Sequence, residues 1–420
     1  MSTSDRSWPP WNRHVVRRTM LWATLPLILS APSDSLTARA YEYAVPEKIE
    51  EDGWETSPLS DENFDAAPIN EMLNRIERGV YPNVRSVLIA RNGKLVVEEH
   101  FPRPANARER AFRRVAPQEI TSATKSITSI LIGIAIDRGM IKGVDEPIAA
   151  LLPEHANALS ADFRDKLLLK HLLSMCAGLA WDEWTHPYSD PRNDHIQMLL
   201  SPSPIRYALS RPALAMPGKR FAYSSGISIA LGEIIRHTSG MTVVEFAERF
   251  LFEPLGITDF YWAKYPGELV QTGGGLHLRS RDMSKIGCLF LNGGQWQGKQ
   301  IVSEAWVRDS TRNQVPAGEI PAAARANGYG YQWWISSIKS GNAMVPTYSA
   351  RGRGGQFILV IPSAELVVVF TSAPENSLTF QPLDIIERYI IPACKAAGAG
   401  VVESDRKLQG ESEHTDTPTR

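Results

Sequence analysis

Only three cysteines occur in this chain of 420 residues: Cys176, Cys288 and Cys394. None stands in a Cys-x-x-Cys or zinc-type spacing, so neither a disulfide framework nor a cysteine-ligated metal is expected. Cys176 and Cys288 sit in apolar stretches and read as small core residues. An excess charge of either sign is missing too. The chain has 45 basic and 46 acidic residues, a net charge of -1. That builds no field to attract nucleic acid or an anionic membrane. Gly-x-Ser-x-Gly is absent, which argues against the nucleophile elbow of an α/β-hydrolase. No apolar run reaches the ~20 residues that cross a bilayer as a helix.

What is present is an ordinary globular composition, 43% apolar and 22% charged, in a chain long enough for two or three structural units. Arg13, Arg17 and Arg18 precede the short apolar run 20–29, which Pro26 interrupts. Ala38-Arg39-Ala40 follows. Basic segment, short apolar segment and small-residue site are the layout of a secretory signal peptide over 1–40, and Arg17-Arg18 also resembles a twin-arginine signal. The expected product is an exported chain, periplasmic or secreted, beginning at Tyr41 and without a stable membrane anchor. Oligomeric state is not readable from the sequence.

Ile69, Met72, Leu73 and Ile76 recur at helical spacing. Residues 85–100 then read strand, Asn92-Gly93 turn, strand. Residues 122–138 are apolar on nearly every face, which predicts a helix buried at the centre of a domain. Further helices are expected over 168–176, 226–238 and 243–252, each stopped by Gly or Pro. Strands return at 329–335, 356–361 and 366–371, and a last helix at 382–396. The polar tail 399–420 is expected to be disordered. Strands at both ends with helices between predict an α+β fold: one antiparallel sheet built from both ends over 41–398, flanked by helices, with an inserted helical subdomain at about 130–255.

Three segments carry candidate chemistry. Ser122 and Lys125 are three residues apart at the head of the buried helix, which puts them on one face. The helix N-terminus offers free N–H groups, and burial lowers the pKa of a lysine until it can accept a serine proton. The segment 217–226 delivers Tyr223-Ser224-Ser225 from a Pro-Gly turn, and Tyr223 is placed to act as acid or base. The segment Ala350-Arg351-Gly352-Arg353-Gly354-Gly355 leads into a strand rather than a helix, so it is no dinucleotide loop. Its glycines permit close backbone approach to a ligand, and the Arg353 N–H offers a second oxyanion donor beside that of Ser122. Trp181, Trp184 and Tyr188 form an aromatic group able to wall a pocket. His186, Asp190, Asp194 and His195 match no metal spacing and read as a solvated loop.

Ser-x-x-Lys, then Tyr-x-Ser, then a glycine-containing strand edge, in that order, resembles the class C β-lactamase-related family. That family includes penicillin-binding peptidases, carboxylesterases and 6-aminohexanoate-dimer hydrolases. His171–Gly178, Phe252–Gly256, Gly275-Leu276 with Arg281–Met283, and Tyr329–Trp334 are similar to further family segments. The resemblance spans roughly 44–395. It implies a β-lactamase/transpeptidase-like fold and Ser122 as nucleophile, with Lys125 and Tyr223 as proton carriers. It further implies an oxyanion hole from the N–H groups of Ser122 and Arg353. Substrate contacts are expected from Ser225, Gly352, Gly354, Gly355, Trp181 and Tyr188, with no metal or organic cofactor. Two positions depart from the pattern: Ser225 stands where Asn is common, and Ala350 where the β-lactamases carry Lys. A charge-assisted contact of the kind that Lys makes contributes roughly 1.5–3 kcal/mol. The expected substrates are therefore small esters or linear amides. β-Lactam hydrolysis, D-Ala-D-Ala peptidase activity and a non-turnover penicillin-binding sensor are the alternatives.

Overall fold

A computed structural model of the chain describes residues 41–102, 104, 106–373 and 380–394. The expected signal segment and the tail 399–420 lie outside the described residues.

Eight strands form the main sheet: β1 (Glu55–Thr56), β2 (Val84–Arg91), β3 (Lys94–His100), β4 (Gly328–Tyr329), β5 (Trp334–Ser340), β6 (Ala343–Gly352), β7 (Gln356–Ile361) and β8 (Leu366–Ser372). Their order is β1-β3-β2-β8-β7-β6-β5-β4, so strands from both ends of the chain share one sheet. β2 joins β3 through Asn92 and Gly93, both at positive φ (52° and 77°), the conformation that a tight hairpin of right-handed twist requires. The sheet is mixed rather than purely antiparallel, because the two-residue β1 runs parallel to β3.

Side chains alternate across the sheet with period two. Leu88, Ala90, Ile358, Val360, Val367 and Val369 face one core. Val87, Ile89, Phe357, Leu359, Val368 and Phe370 face the other, with Ile69, Met72, Leu73 and Ile76 of α1 (Ala66–Glu77). Both faces are apolar because both are covered.

The middle of the chain is helical. α2 (Thr124–Asp137) is buried along nearly its full length, as its all-round apolarity predicts. Ile127, Ile130, Leu131 and Ile132 are completely enclosed. Truncating one of them to Ala should destabilise by about 2–5 kcal/mol. α3 (Ser225–Ser239) packs against α2 and is capped by Ser224, whose hydroxyl accepts the Ile227 N–H at 3.3 Å. α4 (Ser280–Leu291) lies on the sheet. A Cβ at its Gly287 would stand 2.4 Å from Val367, so only glycine allows that approach.

Three expected elements differ in detail. The strand expected at 329–335 is two strands, broken at Gln332, which takes φ 64°. Its carboxamide donates to the Leu173 carbonyl at 2.8 Å and accepts the Ser228 hydroxyl at 2.8 Å, and its backbone carbonyl accepts Ser126 Oγ at 2.6 Å. Tying sheet to helices in this way outweighs the ladder. The last helix is interrupted by a wider turn at Ile386–Ile390. Residues 243–252 likewise change from α-helix to a wider turn at Glu248.

Candidate active site

The residue before Ser122 sets the local geometry. Thr121 holds a left-handed φ of 45°, a costly conformation for a β-branched residue. It opens the short 3-10 turn Thr121–Ala123, which runs directly into α2. Ser122 therefore sits on a tight turn ahead of the helix proper, half-exposed, while Ala123 and Thr124 are buried. Across from it is the end of β6. A Cβ on Gly352 would lie 2.1 Å from Thr121 Oγ1 and 2.3 Å from the Ile120 carbonyl oxygen. Glycine is required there because strand end and turn are in backbone contact. Thr121 Oγ1 closes the junction by donating to the Arg353 carbonyl at 3.4 Å.

Lys125 follows one turn later and is 1% exposed. Its Nζ stands 3.2 Å from Ser122 Oγ, 3.1 Å from Ser225 Oγ and 2.6 Å from the Gly273 carbonyl oxygen. Burial pushes the amine down to about 8, and the Glu183 carboxylate opposes that shift. Tyr223 arrives from the turn before α3. Its ring centroid is 4.8 Å from Lys125 Nζ and its hydroxyl is hydrogen-bonded to Ser122. Burial, with Glu183 adding to it, raises the phenol well above its ordinary value, so Tyr223 holds its proton at neutral pH. Serine hydroxyl, amine and phenol, 101 residues apart at the extremes (223 less 122), thus meet around one oxygen atom.

Ser122 lies at the junction of two cavities. One, about 220 Å³, is the more polar of the two and is lined by Glu119, Thr121, Ser225, His195, Tyr265, Gln271 and Gly273 among others. The other, about 340 Å³, is largely apolar, with Trp184, Tyr223, Trp334, Ala323, Ala324 and Phe380. Trp184 stacks on Tyr223 at 5.2 Å and Tyr223 on Trp334 at 5.7 Å, forming a continuous aromatic wall. Tyr188 and Arg353 line both cavities, and the Arg353 guanidinium sits 5.3 Å from the Tyr188 ring centroid.

The structure brings Ser122, Lys125, Tyr223, Ser225, Tyr188, Gly352 and Arg353 to this place. It does not bring Trp181 to either cavity that Ser122 lines. Trp181 packs its ring edge over Gly226, where a Cβ would lie 2.7 Å away, and donates its indole N–H to Glu183 at 2.7 Å. Its place is behind the site, because α3 begins beside it. Gly354 and Gly355 also line neither cavity. Gly355 has φ 102° and backs onto Ser372, so the pair turns the chain from β6 into β7. Ala350 is enclosed in the core beneath the sheet, and its neighbour Arg351 reaches the apolar cavity instead. Of the four metal-capable residues expected on a solvated loop, Asp194 and His195 instead open the helix Asp194–Leu200; the buried Asp194 pairs with Arg211 at 3.0 Å and accepts the Tyr207 hydroxyl at 2.9 Å, and Asp190 pairs with Arg192 at 2.7 Å. His195 faces the polar cavity, where burial lowers its pKa.

Sequence reasoning passed over Glu183 and Gly273. Glu183 is 2% exposed and accepts four hydrogen bonds, from Ser225, Tyr188 and Trp181. A buried carboxylate between two tryptophans in Trp181-Asp-Glu-Trp184 was the available signal, since an acid in an aromatic run needs donors.

The sequence profile of the beta-lactamase family matches residues 77–385, and the chain belongs to that family. It is similar to the 6-aminohexanoate-dimer hydrolase of Paenarthrobacter ureafaciens, 23% identical over 60% of this chain and 65% of that protein. It is also similar to the lovastatin esterase of Penicillium rubens, 26% identical over 33% of this chain and 38% of that protein. Less than two thirds of either relative is matched. Among solved structures, a penicillin-binding protein homologue from Caulobacter crescentus shares the fold. Its TM-score is 0.59 at 15% identity, covering 78% of this chain and 97% of that one.

Proposed function

We propose that this member of the family is a serine hydrolase that cleaves ester or linear amide bonds through an acyl-enzyme on Ser122. The observation that carries this reading is the buried Lys125 amine, 3.2 Å from Ser122 Oγ and depressed to about 8. An ordinary lysine stays charged and cannot act as base, whereas this one is neutral in a usable fraction at neutral pH. Lys125 takes the Ser122 proton as Oγ bonds to the substrate carbonyl carbon. The oxyanion is held between the N–H groups of Ser122 and Arg353. The carbonyl re-forms, the bond to the leaving group breaks, and Tyr223 gives that group a proton, which Lys125 replaces. Water then repeats the sequence on the acyl-enzyme. No step calls on a metal or organic cofactor.

The relatives support the substrate class: one is named for an ester and one for the dimer of an amino acid. The aromatic wall of Trp184, Tyr223 and Trp334 suits an apolar group, and the smaller polar cavity a short one. A second reading, β-lactam or D-Ala-D-Ala hydrolysis, draws support from Arg351. That guanidinium is buried, donates to Ser349 Oγ at 2.8 Å and the Ala324 carbonyl at 3.0 Å, and has no carboxylate partner among the described residues. It lines the cavity in which a substrate carboxylate would lie. We further propose export, with Tyr41 as the first mature residue, which N-terminal sequencing of secreted material checks. The function is tested with p-nitrophenyl butyrate, a linear anilide and nitrocefin, each on wild type and Ser122→Ala. Ester or anilide turnover abolished by Ser122→Ala supports the reading. Turnover that survives Ser122→Ala overturns it, and nitrocefin as best substrate transfers it to the second reading.

A further inference from the structure

A neutral amine has two N–H bonds and one lone pair, and the surroundings of Lys125 decide where each points. Three oxygens surround its Nζ: Gly273 O, Ser225 Oγ and Ser122 Oγ. The Gly273 carbonyl can only accept, so one N–H goes there. Ser225 Oγ is ambiguous, because a hydroxyl can accept from the amine or donate to it. In the second case the hydroxyl occupies the lone pair that the reaction needs, and Lys125 is quenched as a base.

Glu183 removes that ambiguity. Its Oε1 is 2.9 Å from Ser225 Oγ and its Oε2 is 2.7 Å from the Ser225 backbone nitrogen. A carboxylate only accepts, so the single hydroxyl proton of Ser225 is committed to Glu183 and its lone pairs turn to Lys125. Both amine N–H bonds are then used, and the remaining lone pair faces Ser122 Oγ.

The carboxylate is itself held firmly. Trp181 Nε1 donates to it at 2.7 Å and the Tyr188 hydroxyl at 3.0 Å. Asn193, enclosed, ties down the loop by donating to the Glu183 and His186 carbonyls. Ser225 is the first residue of α3, so the positive helix end also faces Glu183.

We propose that Glu183 is a positioning residue that fixes the proton of Ser225 away from Lys125 and so keeps the lysine lone pair aimed at Ser122. The inference rests on the acyl-enzyme reading above. It asks more than electrostatics of Glu183, although its charge also bears on Lys125. The other groups around the amine are the Tyr223 ring and, lining the adjoining cavity, His195 and Arg353.

The test uses the full chain and p-nitrophenyl butyrate, with kcat/KM followed from pH 5 to 10. Glu183→Gln replaces one acceptor oxygen by an NH2 that donates. It should lower the high-pH plateau of kcat/KM about 10- to 100-fold, as loss of base positioning does, and move the ascending limb to lower pH. Ser225→Ala should cause a loss of similar size. The double variant should lose less than about threefold more than the worse single variant, because without the hydroxyl there is nothing left to direct. A plateau and limb unmoved in Glu183→Gln overturn the inference. So do losses in Glu183→Gln and Ser225→Ala that multiply.

If Glu183→Gln does not fold, Ser225→Thr against Ser225→Ala decides. Thr keeps the directed hydroxyl and should recover activity to within about threefold of wild type, and equal loss in both overturns the inference. Wild-type turnover no higher than that of Ser122→Ala removes the acyl-enzyme reading and this inference together. Clear Ser122-dependent turnover with an indifferent Glu183 removes the inference alone.

Discussion

Two buried cations of this protein are treated in opposite ways. Arg281, 3% exposed, is clamped by acids: its guanidinium donates to both oxygens of Glu98 at 2.9 and 2.6 Å and to Asp52. Arg114 adds a second cation 3.3 Å from Glu98, and the Arg281 guanidinium also holds the Glu47 carbonyl at 2.7 Å. That cluster joins the entering segment 47–52, strand β3 and helix α4, and touches neither cavity of the site. Lys125, equally buried, is given only neutral oxygens as direct partners, with its nearest acid one hydroxyl away. A paired charge is content to stay charged and serves as framework. A cation without a paired acid is pushed toward neutrality and becomes reactive. The burial is similar in both, so the difference lies in the partners.

The sharpest way to break the comparison is to truncate each cation and ask what is lost. Lys125→Ala and Tyr223→Phe should lower acylation about 10²- to 10⁴-fold while the melting temperature hardly falls. Labelling of Ser122 by a fluorophosphonate, followed by mass mapping, reports the rate. Near-normal labelling in either variant would make that residue structural. Arg281→Ala should do the reverse. It strands Glu98 in the interior, and breaking a buried pair costs about 3–5 kcal/mol. Urea denaturation measures it, and the surviving folded fraction should keep wild-type kcat.

A gentler way is to titrate. Glu98, shielded by burial but held by His100 and Arg281, lies at about 2 against an ordinary 4.5. A depressed carboxyl contributes stability that is fully present above its unfolded pKa and is lost as pH falls through the folded one. Unfolding free energy should therefore decline between about pH 4.5 and 2, by on the order of 3 kcal/mol. In Glu98→Gln this decline should be largely absent. Activity should titrate elsewhere: kcat/KM should climb through about pH 8 as Lys125 loses its proton. Acid unfolding and alkaline activation governed by the same pH range would show that the two clusters are not separate.

Much of this division was legible in the sequence, but unevenly. The hairpin at Asn92-Gly93, the all-apolar helix after Ser122 and the Ser-x-x-Lys spacing are local patterns, and local patterns survive folding. Glu183 was legible only as an acid in an aromatic run, since its role depends on Ser225, 42 residues away. Gln332 broke an expected strand for the same reason: its partners, Leu173 and Ser228, lie over 100 residues before it. Ala350 and Arg351 were read as leading into a strand, whereas they lie within β6, and which of the two faces the cavity is a matter of register. A shift of one residue exchanges core and cleft.

The smallest expected effect concerns the aromatic wall, and it asks whether the cleft has framework of its own. Trp184 is 47% exposed, yet it stacks on Tyr223 at 5.2 Å and lies 6.4 Å from Trp334. A half-exposed ring in a half-built stack adds little to stability, because unfolding uncovers little more of it. For an apolar substrate group the same face is open, and a stacked aromatic pair is worth about 0.5–1.5 kcal/mol beyond area burial. Trp184→Ala should thus raise KM for a phenyl or naphthyl ester roughly 2- to 10-fold, the equivalent of that energy. KM for an acetate of a small alcohol should barely change. Because Tyr223 stays stacked on Trp334, kcat should hold and so should the melting temperature. A fall in kcat for both esters would mean that Trp184 holds Tyr223 in place, and the wall would then belong with the framework rather than with substrate binding.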